Sequence, residues 1–315
     1  MQNEQSARAL DVLDRAGLEL WIRTFWQERL ENAAAALRLY TSEDVHFRII
    51  GGPPSMPGPW IFDGQEQVIQ AIATIDTNLV FLQFDILDII IDGPELAMRW
   101  HATLENRGTG EPVELSVFDH IVIRNGLIAS YTEFLDTEGF RRLMMGEPQP
   151  ALARQSNRPA GFAATTRQPG AIQSPPRPVD VALRNRKELL LRTFWQERIS
   201  QGSFALDAFC TADVELHLIG DPAAIPFARS HYGLEAARTL VEQIDMEFEY
   251  LSFDIRNILI DGDRAALQWG ADVRHRGTSA SGHIECFNHV VFRGDRIAAV
   301  TQFFDTAETA RWIEG

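Results

Sequence analysis

The sequence predicts an α+β chain made of two tandem copies of one domain, and three observations carry that reading. Arg23-Thr24-Phe25-Trp26-Gln27-Glu28-Arg29 returns as Arg192-Thr193-Phe194-Trp195-Gln196-Glu197-Arg198, an offset of 169 residues. The offset holds onward without a gap: Asp44-Val45 meets Asp213-Val214, Trp100 meets Trp269, and Asp136-Thr137 meets Asp305-Thr306. Within each copy, segments of helical periodicity come first and long β-rich runs follow. Residues 1–146 are expected to form the first domain, 147–180 a linker, and 181–315 the second domain.

The elements follow in order. From Leu10 to about Arg29, the apolar residues Leu13, Leu18, Trp21, Ile22 and Phe25 recur at mostly three- and four-residue steps, which predicts a helix with one buried face. Asn32 to Tyr40 continues as a second helix. Val45 to Ile50 alternates His46 and Arg48 against Phe47 and Ile49, the pattern of a strand whose two faces see different surroundings. Gly51 to Asp63 holds Pro53, Pro54, Pro57 and Pro59 and reads as a loop. Gly64 to Thr77 places Val68, Ile69, Ile72 and Ile75 at helical spacing.

Four β-rich runs come next: Val80 to Ile91, Leu96 to Asn106, Val113 to Arg124 and Leu127 to Leu135. Asp92-Gly93 and Asn125-Gly126 separate two of these pairs and supply the positive φ of tight hairpin turns. A curled antiparallel meander behind three helices is expected. The stretch from Glu147 to Pro178 carries seven of the chain's 15 prolines among Gln, Arg, Ala and Gly. Such a composition buries too little apolar surface to order itself and predicts a flexible linker.

Bulk properties limit the function classes. A net charge of −15 and a pI near 5.0 disfavour a nucleic-acid or anionic-membrane partner, since both need a concentrated positive patch. Small, largely apolar molecules are the expected ligands. Cys210 and Cys286 show neither metal-ligand spacing nor a disulfide framework, and a polar N-terminus with no long apolar run adds to the expectation of a cytoplasmic protein. No Gly-rich phosphate loop, nucleophile elbow or His-Glu-x-x-His motif occurs, so no cofactor and no metal are expected.

Helix, helix, strand, Pro-rich loop, helix and four long strands, present in both copies, resemble the nuclear-transport-factor-2-like superfamily. Within it the chain is similar to the SnoaL-like branch, alongside ketosteroid isomerase, limonene epoxide hydrolase and the polyketide cyclases. The resemblance implies a cone-shaped domain whose concave sheet face and helices enclose an apolar pocket, and whose convex face packs on a second subunit. It also implies site residues. The Arg-x-Asp pair of the epoxide hydrolases falls on Arg99-Trp100-His101, with His in place of Asp, and their second Asp falls on Glu133. Their tyrosine and asparagine fall on Phe47 and Ile49. The neutral, proton-donating Asp of the ketosteroid isomerases falls on Asp119, their base on Ile49 and their tyrosine on Phe25. Neither set is complete, and one scaffold hosts many chemistries.

The residues add their own reading. Asp119 shares a strand face with Leu115, Val117, Ile121 and Ile123, so alternation alone sets a carboxylate among apolar neighbours, where its pKa rises. Arg99 and His101 share one face, as do Tyr131 and Glu133. These groups suit either acid-base chemistry or an ion pair with no chemistry at all. Arg99, His101, Asp119, Tyr131 and Glu133 become Gln268, Gly270, Asn288, Val300 and Gln302 in the second copy. Trp100, Phe118 and His120, assigned to the opposite face, are kept as Trp269, Phe287 and His289.

The kept set predicts that the convex sheets pack back to back as an intrachain pseudo-dimer, with further homo-oligomers left open. The lost set places the site in the first domain and leaves the second structural. The expectation is a cofactor-independent acid-base enzyme, of isomerase, lyase, cyclase or epoxide hydrolase type, with His101 as proton shuttle, Asp119 and Glu133 as acid and base, and Arg99 as orienting cation. Phe25, Phe47, Ile49, Trp60, Val117 and Tyr131 would line the substrate pocket. The alternative is a non-catalytic small-molecule-binding or structural protein. Arg23, Glu28 and Arg29 of the heptapeptide are expected to form a solvated or interface charge network.

Overall fold

A computed structural model describes residues 14–51, 60–147 and 181–315. Most of the Pro-rich loop and nearly all of the linker lie outside the described residues. The first domain runs α1 (Arg15–Glu31), α2 (Ala33–Tyr40), β1 (Thr41–Ile49), β2 (Ile61–Asp63), α3 (Gln65–Asn78), β3 (Leu79–Asp92), β4 (Glu95–Asn106), β5 (Pro112–Arg124), β6 (Leu127–Leu135) and α4 (Thr137–Met145). Asp14 and Asn32 cap α1 and α2, each side chain accepting a backbone N–H three residues on, which satisfies a donor the first turn leaves unpaired.

The four predicted runs form the meander β3-β4-β5-β6, all antiparallel. Asn125 and Gly126, at φ 52° and 75°, make the β5–β6 turn with two left-handed residues, the hairpin geometry that dipeptide favours. The sheet as a whole is mixed, which the expectation of an antiparallel sheet lacked. β1 arrives from α2 on the far edge and pairs parallel to β6, and β2 completes the order β2-β1-β6-β5-β4-β3. The fourth helix was also not expected; Asp136 caps its start and Gly146, in the left-handed region, ends it.

The second domain repeats the plan: α5 (Val181–Gln201), α6 (Ala205–Phe209), β7 (Cys210–Leu218), β8 (Ser230–Tyr232), α7 (Leu234–Glu247), β9 (Phe248–Tyr250), β10 (Asp254–Asp261), β11 (Arg264–His275), β12 (Ser281–Arg293), β13 (Arg296–Phe304) and α8 (Thr306–Glu314). Each domain has its own apolar core between helices and concave sheet face. A third cluster lies between the domains, where Ile90, Ala97, Phe118 and Phe134 meet Leu259, Ala266, Phe287 and Phe303.

This interface is isologous, as in a two-fold dimer. Phe118 stacks on its own repeat partner Phe287, with ring centroids 4.2 Å apart. Arg15 pairs with Asp261 at 2.6 Å and Arg184 with Asp92 at 2.7 Å, the same contact made twice. Thr137 donates to Asp305 at 2.6 Å and Thr306 to Asp136 at 2.5 Å, which accounts for the retention of both Asp-Thr pairs. His289 meets Asp88 at 2.7 Å, and His120 meets Asn257 at 3.2 Å and packs on Phe287 with ring centroids 5.8 Å apart, so both kept histidines serve the interface. The convex faces therefore pack back to back, as kept Phe118 and Phe287 predict, while the kept pair Trp100 and Trp269 lies inside the separate domain cores. No helix among the described residues is long and apolar enough to cross a membrane.

Candidate active site

Register decides which side chains meet. Across β4 and β5, Met98 stands opposite Asp119, Arg99 opposite Phe118, Trp100 opposite Val117 and His101 opposite Ser116. Directly opposed residues of an antiparallel pair share a sheet face. Asp119 and Trp100 therefore face the concave interior, while Arg99 and His101 face the convex side with Phe118.

This corrects the placement of Arg99 and His101 in the pocket and of Trp100 outside it. Arg99 is buried at the domain interface and donates to the Thr301 hydroxyl at 3.1 Å. His101 lies between Ser116 Oγ at 2.9 Å and Glu114 Oε2 at 2.5 Å. Trp100 instead packs on Trp26 and Phe84 in the first-domain core. Period two says which residues share a face but leaves open which face is concave.

The interior of the first domain holds a different constellation. Asp119 is fully buried, and its Oδ2 accepts from the Trp100 indole N–H and from the Tyr131 hydroxyl, each at 2.6 Å. Its Oδ1 has no partner among the described residues and is the oxygen left to carry a proton. Glu133 stands directly across from Asp119 on β6. Together with Tyr131, Phe47, Trp26 and Arg29, Glu133 lines a cavity of about 30 Å³.

Burial sets the electrostatics. Desolvation, then the nearby Glu133, pushes the Asp119 carboxyl well above the usual range, against the two hydrogen bonds that favour its charge. Glu133 is pushed up to about 7 by burial, with Arg29 acting in the opposite direction. Part of its side chain stays reachable at the cavity wall. Tyr131 is raised by burial and by both carboxylates, so it remains a hydroxyl donor.

Arg29, expected in a solvated or interface charge network, is instead the buried cation at the cavity wall. It lies on the buried face of α1 with Ile22, Phe25 and Trp26, spaced i, i+3, i+4, i+7, and that spacing was the available signal. Its guanidinium donates to Asp76 at 2.8 Å and sits over the Trp26 and Phe81 rings. The expected lining residues divide. Phe47 and Tyr131 border the cavity, whereas Phe25, Ile49 and Val117 are core residues behind it. Trp60 packs edge-on against Phe140, away from the cavity wall. Among the described residues, no group of three or more His, Cys, Asp or Glu is placed to hold a metal ion.

A curled sheet with helices over its concave face, a small cavity between them and buried titratable groups at its wall define a tandem α+β fold. The profile of the SnoaL-like domain family matches residues 18–131 and 192–300, and the chain belongs to that family. Among solved structures, it is similar to an NTF2-like protein from Burkholderia xenovorans LB400, at 18% identity, covering 41% of this chain and 95% of that one, with a TM-score of 0.36. An NTF2-like protein from Burkholderia pseudomallei K96243 gives 14% identity, 41% and 98% coverage and a TM-score of 0.39. A protein with a ketosteroid isomerase-like fold from Catenulispora acidiphila, solved with trimethylamine, gives 17%, 36% and 83%, and 0.32. Each spans about one domain of this chain. No curated protein matches it.

Proposed function

We propose that the first domain is a cofactor-independent proton-transfer site of isomerase or lyase type for a small, largely apolar molecule. The observation that carries this reading is Glu133, a carboxylate on the cavity wall with a pKa pushed to about 7 and a second buried carboxyl, Asp119, directly opposite. A group poised near neutrality both takes and returns a proton efficiently. Glu133 is the base and then the acid, while Asp119 and the Tyr131 hydroxyl hold the neighbouring proton in place. Arg29 offsets the negative charge that develops. Phe47 and Ile49, apolar where a hydrolytic water would need holding, favour this over epoxide hydrolysis.

The cavity has room for one or two waters. A substrate therefore enters by displacing the aliphatic side chains of Leu37, Val68 and Ile72 on α2 and α3. Two buried free thiols, Cys210 and Cys286, suit a reducing, cytoplasmic setting.

The test is hydrogen exchange. Small cyclic ketones and enones are incubated with the full chain in D₂O, and loss of protons beside the carbonyl is followed by NMR. Glu133→Gln should slow exchange by about 100-fold or more, whereas His101→Ala should leave it unchanged. Equal rates in wild type and Glu133→Gln would overturn the assignment of Glu133. Absence of exchange above the buffer rate would favour the binding-only alternative.

A further inference from the structure

The second domain encloses the larger space, a cavity of about 100 Å³ against about 30 Å³ in the first. The cause is legible position by position. Phe47, Ile72 and Tyr131 on the first wall are replaced by Leu216, Val241 and Val300 on the second, and each exchange removes side-chain volume.

The wall is apolar, with a few polar groups left unmatched. Gln302 and Tyr250 border the cavity, and neither side chain makes a hydrogen bond to the described residues. Trp195 and Trp269 border it too, only 8% and 2% exposed, and their indole N–H groups have no partner among the described residues. The counterpart of Trp269 in the first domain, Trp100, gives its N–H to Asp119. In the second domain that place is taken by Asn288, fully buried, with neither amide atom bonded. A buried donor without an acceptor costs about 1–3 kcal/mol, which an incoming acceptor would relieve.

Charge is balanced at this wall. Arg198, the counterpart of Arg29, is held by Asp245 through two bonds of 2.8 and 3.1 Å, and no carboxylate among the described residues borders the cavity. An ionised ligand would lose its hydration without gaining a free counter-charge. An engineered apolar cavity of roughly 150 Å³ takes benzene, so a space of about 100 Å³ with mobile aliphatic walls suits a single small ring.

We propose that the second domain is a binding site, distinct from the proton-transfer site, for a small uncharged molecule of about one ring that carries a hydrogen-bond acceptor such as a carbonyl. The site does not depend on the reaction assigned to the first domain. It gives the second domain a role in recognition rather than in scaffolding alone.

The full chain, labelled with ¹⁵N at tryptophan, is titrated with cyclohexanone and, separately, with cyclohexanecarboxylate near neutral pH. The indole resonances are assigned through Trp195→Phe and Trp269→Phe. Cyclohexanone should shift the Trp195 and Trp269 indole signals saturably, whether or not those of Trp26 and Trp100 at the first site also move, while cyclohexanecarboxylate should shift neither Trp195 nor Trp269. Leu240→Phe, which fills the cavity, should weaken binding by about ten-fold or more. Gln302→Leu, which changes polarity at little cost in volume, should weaken it about two- to ten-fold with the fold retained. No saturable shift of the two indoles, shifts confined to Trp26 and Trp100, equal binding of the carboxylate, or unaltered affinity in Gln302→Leu would each overturn the proposal.

Discussion

Asp119 and Glu133 face each other on neighbouring antiparallel strands inside the first domain, two carboxyl groups in one apolar interior. Such a pair binds its protons in two coupled steps, and burial raises both. The second domain puts Asn288 and Gln302 at the same positions, where no proton is at stake.

Glu133 ties stability to pH. Its folded pKa, about 7, lies above the ordinary 4.5, so the folded chain holds the extra proton. The associated stability is fully present below about pH 4.5 and is lost as pH rises through 7. Glu133→Gln should therefore stabilise the chain at pH 8 by on the order of 1–3 kcal/mol and give no such gain at pH 4. Thermal unfolding at the two pH values checks this.

Arg29 holds the Glu133 pKa down against burial. Arg29→Met should raise the Glu133 titration above 7 and cost about 1–3 kcal/mol, because Asp76 loses its partner. A titration that moves downward instead would mean that Arg29 does not act on Glu133.

His101 is on the other side of the sheet from the carboxyl pair, bonded to Ser116 and Glu114. His101→Ala should leave the Glu133 titration where it is and alter stability by about 1 kcal/mol. A displaced titration would return His101 to the site.

Phe118 and Phe287 each fill the centre of the domain interface. Phe118→Ala and Phe287→Ala should each cost about 3–5 kcal/mol in urea unfolding, and the double variant less than their sum. Losses below about 1 kcal/mol would show that the domains do not rely on this packing.

The fold was readable because repeat offset, helical spacing and turn dipeptides all point the same way. Alternation placed Asp119, Tyr131 and Glu133 on one face, and that face is the interior. Arg99 and His101 were misplaced for a physical reason. The β4–β5 connection at 107–111 is too long to fix strand register by turn type, so the sequence did not say which strand-four residues stand opposite Asp119. Arg29 was missed because a charge on a helix usually points to water, although its spacing from Ile22 and Trp26 put it on the buried face. The second cavity was signalled by smaller side chains at 216, 241 and 300, a difference of volume that loss of charge had overshadowed.

Carbon-13 NMR of labelled glutamate and aspartate carboxyls across pH 3 to 10 reads the acidity of Glu133 itself. One glutamate carboxyl should titrate near 7 and be absent from the Glu133→Gln spectrum. A wild-type chain in which every glutamate carboxyl titrates below about pH 5 would contradict it.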